Sequence, residues 1–318
     1  MTVLITGGLG FIGAHTALAF AEADVACVLV QRHPGEVPAE LADHLGKRIF
    51  VSIADVLDRR GLADAARRHR VTGILHLARS VPWPPDGAPI DAASKAIEGL
   101  LNVLRVGSDR SVARIGIASS AGVYASGGTG RTDEHAALPV TYQHAVPAFK
   151  RISEIVSEYV EQTTGLGVVN YRIATVWGPR GRASSSLTAA PRLVHAVART
   201  PVRAAPTDCY ANNGLDLCYV KDCARAIMLL QLASTLPENL YNIASGQVTT
   251  NGDIADVLRL LVPDISIALR PGRDPYGPQR DLPVDISRLR RDVGYTPAYD
   301  TERAVMDYLR WLRAGHEL

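Results

Sequence analysis

The chain has 318 residues, 47% of them hydrophobic and 21% charged, with a formal net charge of +2. That length suits one large domain or two unequal ones, and the near-balanced charge leaves no electrostatic footprint for nucleic acid. No apolar run reaches the length that a membrane-spanning helix needs.

The first segment, TVLITGGLGFIG at residues 2–13, carries the most information. A β-branched apolar run is followed by a tight glycine turn and then by the helical pattern FIGAHTALAFAEA. Strand, glycine turn and helix in that order suit a dinucleotide phosphate. Gly7 allows the sharp turn, Gly10 lets backbone approach the pyrophosphate, and Gly13 lets helix and strand pack closely. The helix N-terminus, with Phe11 and Ile12 in its first turn, offers free N–H groups and a partial positive charge. The bland alternative is a plain glycine-rich turn in an α/β protein.

Further strands are expected at 25–30, 48–52, 72–77, 112–119 and 167–173, with helical patterns between most of them. Such alternation implies an α/β fold: a Rossmann-type, doubly wound parallel sheet. The proline-rich stretch VPWPPDGAP at 81–89 leaves the carboxyl end of the fourth strand, where ligands bind in such sheets. After GPRGRASSS at 178–186 the elements become smaller and mixed. Helices are expected near 187–199, 222–233, 251–262 and 301–313, and strands near 215–220 and 239–244. This predicts a dinucleotide-binding domain over 1–177. A smaller substrate lobe follows over 178–318, with segments within 215–245 returning to the first domain.

The four cysteines, Cys27, Cys209, Cys218 and Cys223, form no CxxC pair. Reduced thiols and an N-terminus that enters a core strand directly predict a cytoplasmic protein without a signal peptide. Only Lys47, Lys95, Lys150 and Lys221 stand against a large excess of arginine, and alanine is abundant, which suggests a GC-rich bacterial genome. No His, Cys and Asp cluster has metal-ligand spacing, so no metal is expected.

Taken together, several segments resemble the extended short-chain dehydrogenases, the NAD-dependent epimerase/dehydratase family. TGGLGFIG resembles its nucleotide loop, and Asp55 in ADV, followed by Val56, its adenine contact after the third strand. HLA at 76–78 resembles the end of its fourth strand, with Leu77 and Ala78 beside the cofactor, and SSAGVY at 119–124 its serine motif. RIATVWGPR at 172–180, DLCYVKDCARAI at 216–227, YNIASG at 241–246 and the closing DISRLRRDVGYTPAYDTERAV also fit in order and spacing. The resemblance implies a biosynthetic enzyme acting on a small sugar-like or polyol substrate by hydride transfer, epimerisation or elimination. It further implies a homodimer without nucleic-acid or membrane partners.

In the family, a Ser/Thr bonds the reacting oxygen, a tyrosine moves its proton, and a lysine lowers the tyrosine pKa and holds the nicotinamide ribose. The resemblance assigns the serine to Ser120 and the lysine to Lys150, which Glu154 follows by four residues. Four residues before Lys150, where the tyrosine belongs, stands Val146, which cannot transfer a proton. Tyr142 and His144 lie just upstream and are candidate substitutes near neutral pH. Other departures agree: Ala96 replaces a helix asparagine, Leu215 the arginine that clamps a sugar-nucleotide diphosphate, and Ala121–Gly122 the Asp–Glu pair of 4,6-dehydratases. Tyr124, Thr175, Arg79 and Arg270 are the expected substrate contacts, and Arg180 or Arg270 could compensate for Leu215. His15 and His76 read as packing residues, and Asp133–Glu134 as a solvated pair. Counting along the pattern places Gln31, then Arg32, at the end of the second strand. A carboxylate there would repel a 2′-phosphate, whereas Arg32 can pair with one, so NADP is favoured with NAD as the alternative. The missing tyrosine also leaves open a non-redox isomerase or lyase, or a silent cofactor-binding protein.

Overall fold

The computed structural model describes residues 1–78, 88–124, 132–185, 188–198, 208–263, 265–276 and 281–316. Seven parallel strands form one sheet in the order β3-β2-β1-β4-β5-β6-β9. They are β1 (Thr2–Thr6), β2 (Ala26–Gln31), β3 (Ile49–Ile53), β4 (Gly73–His76), β5 (Arg114–Ser120), β6 (Val168–Ile173) and β9 (Leu240–Ile243). β1, β4 and β6 are buried almost throughout, as strands covered on both faces are, and all but β6, which carries Asn170 and Arg172, are largely apolar. The strand order reverses between β1 and β4, so the crevice outside their carboxyl ends is the natural ligand position.

Helices cover both faces. On one side α1 (Phe11–Glu22) packs against α6 (Val220–Leu232). The small residues Ala14, Ala17 and Ala21 of α1 and Ala226 of α6 let these helices sit close to the strands. On the other side lie α2 (Arg59–Arg68), α3 (Pro89–Asp109) and α4 (Ala145–Thr164), over Leu4, Val28, Ile74, Ile115 and Ile117. Asp58 caps α2 by accepting from Gly61 N at 3.0 Å, a contact of the kind that fixes helix starts. α4 ends on Gly165, whose φ of 70° needs the left-handed region.

Three short strands make a second sheet in the order β10-β8-β7: β7 (Thr175–Trp177), β8 (Gly214–Tyr219) and β10 (Val248–Thr250). Its core is Trp177, Leu217 and Tyr219, joined by α5 (Ala190–Ala198), α7 (Asn251–Leu261) and α9 (Thr301–Arg313). The chain enters this sheet at β7 and returns to the large one at β9. α8 (Ser287–Val293) packs beside β9. Strands β7 and β10 and helix α8 were not among the expected elements. The strands have three residues each and the helix seven, too short for periodicity to register. The four cysteines are free and buried, and no helix among the described residues is long and apolar enough to cross a membrane.

Candidate active site

Two glycines of the turn, Gly7 and Gly13, sit where backbone leaves no room for a side chain. Gly7 has φ +69°, and a Cβ there would lie 3.0 Å from Ala78 Cα and N at the end of β4. A Cβ on Gly13 would come within 2.3 Å of Gly7 O, which is backbone and cannot swing away. A Cβ on Gly10 meets only Gly7 O, at 3.1 Å, so its outward side is open. Gly10 is the N-cap of α1 and provides no side-chain cap. The first-turn N–H groups of a helix have no intrahelical acceptor, and with the dipole they suit an anion. Open space at Gly10 above an uncapped helix start is the shape a dinucleotide pyrophosphate requires.

The ends of β1, β4 and β5 meet beside this turn. In register, Thr6 pairs with His76 and His76 with Ile117. Thr6 Oγ1 lies 2.8 Å from His76 Nδ1 and accepts from Ala78 N at 3.3 Å. Burial pulls His76 down to about 3, with the nearby Lys150 acting in the same direction, so its ring is neutral. His15 packs as expected, its Nε2 3.0 Å from Pro179 O.

Helix α4 brings Lys150 to the same edge. Its Nζ donates to Ala118 O at 2.5 Å, two residues before Ser120. Ser120 Oγ accepts from Gly122 N at 3.0 Å, and a Cβ on Gly122 would lie 3.5 Å from Pro147 in the first turn of α4. Ser120, Lys150 and the glycine turn thus converge on one end of the sheet. Burial lowers the Lys150 ammonium to about 8, against the opposing pull of Glu154. Val146 lies one turn before Lys150 on the same helix face.

Beneath this edge runs a buried polar network. Glu154, fully inside, accepts from Ser119 Oγ at 2.6 Å and from Arg172 Nε and Nη2 at 2.9 and 3.0 Å. Arg151 adds a contact at 3.1 Å. Burial opposes the charge on Arg172, but the Glu154 carboxylate more than offsets it and raises the guanidinium pKa. Arg172 also donates to Tyr124 OH at 3.0 Å and stacks over its ring at 4.9 Å. Tyr124 OH in turn donates to Asn242 Oδ1 at 2.7 Å. The Tyr124 hydroxyl is therefore committed to the network below the site. Glu134 is no solvated carboxylate: its side chain is 4% exposed, accepts from Asn242 N at 2.8 Å and faces Arg288 at 3.7 Å. In the sequence Glu154 and Arg172 fall in two separate segments, one after Lys150 and one opening RIATVWGPR. A charged arginine within a central strand, Arg172 of β6, was the available signal that it needed a buried carboxylate.

The other expected residues are more scattered. Tyr142 OH donates to Val123 O at 3.1 Å, in the turn after Ser120, and burial pushes its phenol above the ordinary value. His144 is the exposed N-cap of α4. Asp55 spends one carboxylate oxygen on Leu57 N at 2.9 Å, and Val56 O accepts from Asn102 Nδ2 at 3.1 Å. Gln31 ends β2 half-buried, and Arg32 follows it exposed. Thr175 opens β7, and Leu215 lies half-buried in β8 against the small lobe's core. Arg270 is exposed and stacks over Tyr210 at 5.5 Å. Arg180 has φ +66° and a buried Nε without an acceptor among the described residues. Arg79 lies outside the described residues, as does most of the 81–89 loop.

A family model described as "NAD dependent epimerase/dehydratase family" matches residues 3–244. A UDP-glucose 4-epimerase of Azospirillum brasilense is 26% identical over 342 aligned positions, covering 98% of this chain and 92% of that protein. A dTDP-glucose 4,6-dehydratase of an Actinoplanes strain is 24% identical, covering 99% of this chain and 98% of that one. Among solved structures, a UDP-glucose-4-epimerase from Stenotrophomonas maltophila superposes with a TM-score of 0.81. Its identity is 19%, with coverage of 99% and 98%, and it carries NAD and a formylated UDP-arabinopyranose.

Proposed function

The chain belongs to the NAD-dependent epimerase/dehydratase family of enzymes, and from that premise we propose that it oxidises, epimerises or dehydrates a small sugar-like or polyol substrate at the crevice beside Gly10. The observation that carries the reading is the convergence of Ser120, Lys150 and the open glycine turn on one sheet edge. The backbone from Gly7 to Gly13 would hold the pyrophosphate, and Ala78 and Leu77 would border the cofactor next to it. When bound, the nicotinamide supplies a hydride acceptor and donor. Ser120 Oγ orients the reacting oxygen by hydrogen bonding. The buried Glu154, bonded by Ser119 of β5 and Arg172 of β6, ties α4 to the sheet, so that Ser120 and Lys150 stay within reach of one substrate carbon. Tyr142 and His144 are the nearest side chains upstream of Val146 and remain rival proton carriers.

For the cofactor, NADP is the preferred reading, with Gln31 and Arg32 where a carboxylate would reject a 2′-phosphate. For the substrate, relatives named as epimerases and dehydratases act on UDP- or dTDP-sugars. Leu215 removes the diphosphate clamp here, so simple nucleotide hexoses should bind weakly unless Arg180 or Arg270 compensates. A homodimer accords with exposed apolar side chains on the neighbouring helices α3 and α4. Ile90, Ile155 and Tyr159 among them are 83%, 51% and 66% exposed. Light scattering of the unmutated chain and of Ile155→Glu tests that part. Calorimetric titration with NADPH and NADH, then thermal shift over a nucleotide-sugar panel, tests the rest. Tighter NADH binding would refute the NADP preference, and micromolar binding of a UDP-hexose would show that the clamp is replaced rather than lost.

A further inference from the structure

Among the described residues no carboxylate bonds Lys150 Nζ, whose acceptor is Ala118 O. The one acid on its face of α4, Glu154, is taken up by Arg172 through two hydrogen bonds, by Arg151 and by Ser119. Two guanidinium charges therefore surround a single carboxylate charge. Among the described residues, the groups near Lys150 on the other packed elements bring no negative charge to replace it. They include the neutral His76 on β4 and, on β5, the serines Ser119 and Ser120 that follow the Ala118 carbonyl bonded by Nζ. The acceptor at Nζ is a neutral carbonyl, Ala118 O, and the neighbour one turn before it is the apolar Val146. An ammonium held half-buried, with its nearest carboxylate shared by two guanidinium groups, is costly, and such a group gives up its proton more readily than a solvated lysine does.

We propose that Lys150 alternates between amine and ammonium and is itself the proton carrier of this site, the part that Val146 leaves vacant. The inference rests on the reading of the crevice as a cofactor-dependent site. In the oxidative direction the carbinol C–H bond breaks and its electron pair leaves as hydride to the oxidised nicotinamide. The O–H bond breaks and its proton goes to Nζ. Carbon and oxygen are left as a carbonyl, and lysine as ammonium. In the reverse direction the ammonium returns that proton to the oxygen. The depressed Lys150 value of about 8 agrees with this geometry, and general bases work best when their pKa lies near the operating pH.

Because the chain has only four lysines, Lys47, Lys95, Lys150 and Lys221, the test can be read directly. The full chain, labelled with ¹³C-lysine, gives four sets of Hε–Cε signals, and the set missing in Lys150→Arg identifies Lys150. Its titration is followed by NMR in unmutated protein and in Arg151→Ala, where the partly exposed Arg151 no longer offsets Glu154. A midpoint near 8, moving upward in Arg151→Ala, supports the proposal. A Lys150 that stays protonated beyond pH 10, or a midpoint indifferent to Arg151, overturns it and returns proton transfer to Tyr142 or His144. NAD and NADP titrated by calorimetry into the same samples separate the two levels. If either binds while Lys150 stays charged, only this inference fails. If neither binds, the cofactor-site reading fails with it.

Discussion

Alanine at Gly10 and alanine at Gly13 should separate cofactor binding from folding, although both lie in one turn. Gly10 has φ −71° and ψ 175°, a conformation open to any residue. A Cβ there meets only Gly7 O at 3.1 Å, a contact relieved by a shift of a few tenths of an ångström. Replacing glycine at a compatible site also reduces the entropy of the unfolded chain, by about 0.4–1 kcal/mol. The unfolding free energy of Gly10→Ala should therefore stay within about 1 kcal/mol of the unmutated value. Its methyl group, however, occupies the open side where the pyrophosphate must approach. Dinucleotide affinity should drop at least about tenfold, or ~1.4 kcal/mol. Gly13→Ala is different. Its Cβ would lie 2.3 Å from Gly7 O and 2.9 Å from Gly8 Cα, so the whole turn must move. Overpacking of this kind costs roughly 1–3 kcal/mol, and affinity should fall as well. Urea unfolding and calorimetry with NAD and NADP on the three proteins measure both quantities. If Gly10→Ala binds dinucleotide as tightly as the unmutated chain, the turn is not the phosphate cradle.

Three further outcomes follow from the same structure. Arg32→Ala should weaken NADPH by roughly 1.5–3 kcal/mol, the scale of a charge-assisted hydrogen bond, and leave NADH almost unchanged; equal losses by calorimetry would mean that Arg32 does not face a 2′-phosphate. Arg172→Met strands the Glu154 carboxylate and should cost about 3–5 kcal/mol, whereas Glu154→Gln with Arg172→Met should cost less than the two single changes summed; additive urea midpoints would deny the coupling. His76 stays neutral down to about 3, against an ordinary value of 6.5. Between those limits the unfolded chain takes up a proton that the native ring refuses, so stability falls as pH drops through this window. His76→Gln should flatten that part of the curve, and an unchanged slope from pH 7 to 4.5 would contradict the assignment.

The parts legible in sequence were those written locally. Thr2–Thr6, the glycine turn and α1 declare themselves by consecutive residues, and the strands of the large sheet carry long apolar runs. The small sheet was only partly visible because β7 and β10 gain their pairing from β8, far along the chain. The partners within the buried network could not be paired from sequence for the same reason. Arg172 and Glu154 lie on a strand and a helix that meet only in the fold, and Tyr124 reaches Asn242 across 118 residues. Lys150 and Ser120 were identified by position in a pattern. The state of the lysine depends on how Arg151 and Arg172 occupy Glu154, which no spacing reveals.

The central claim is that residues 7–13 hold a nicotinamide dinucleotide in the crevice that Ser120 and Lys150 border. Its most direct test is calorimetric titration of the unmutated chain with NAD and with NADP. The account predicts saturable binding of one dinucleotide per chain by at least one of them. No heat and no rise in melting temperature with either would contradict it.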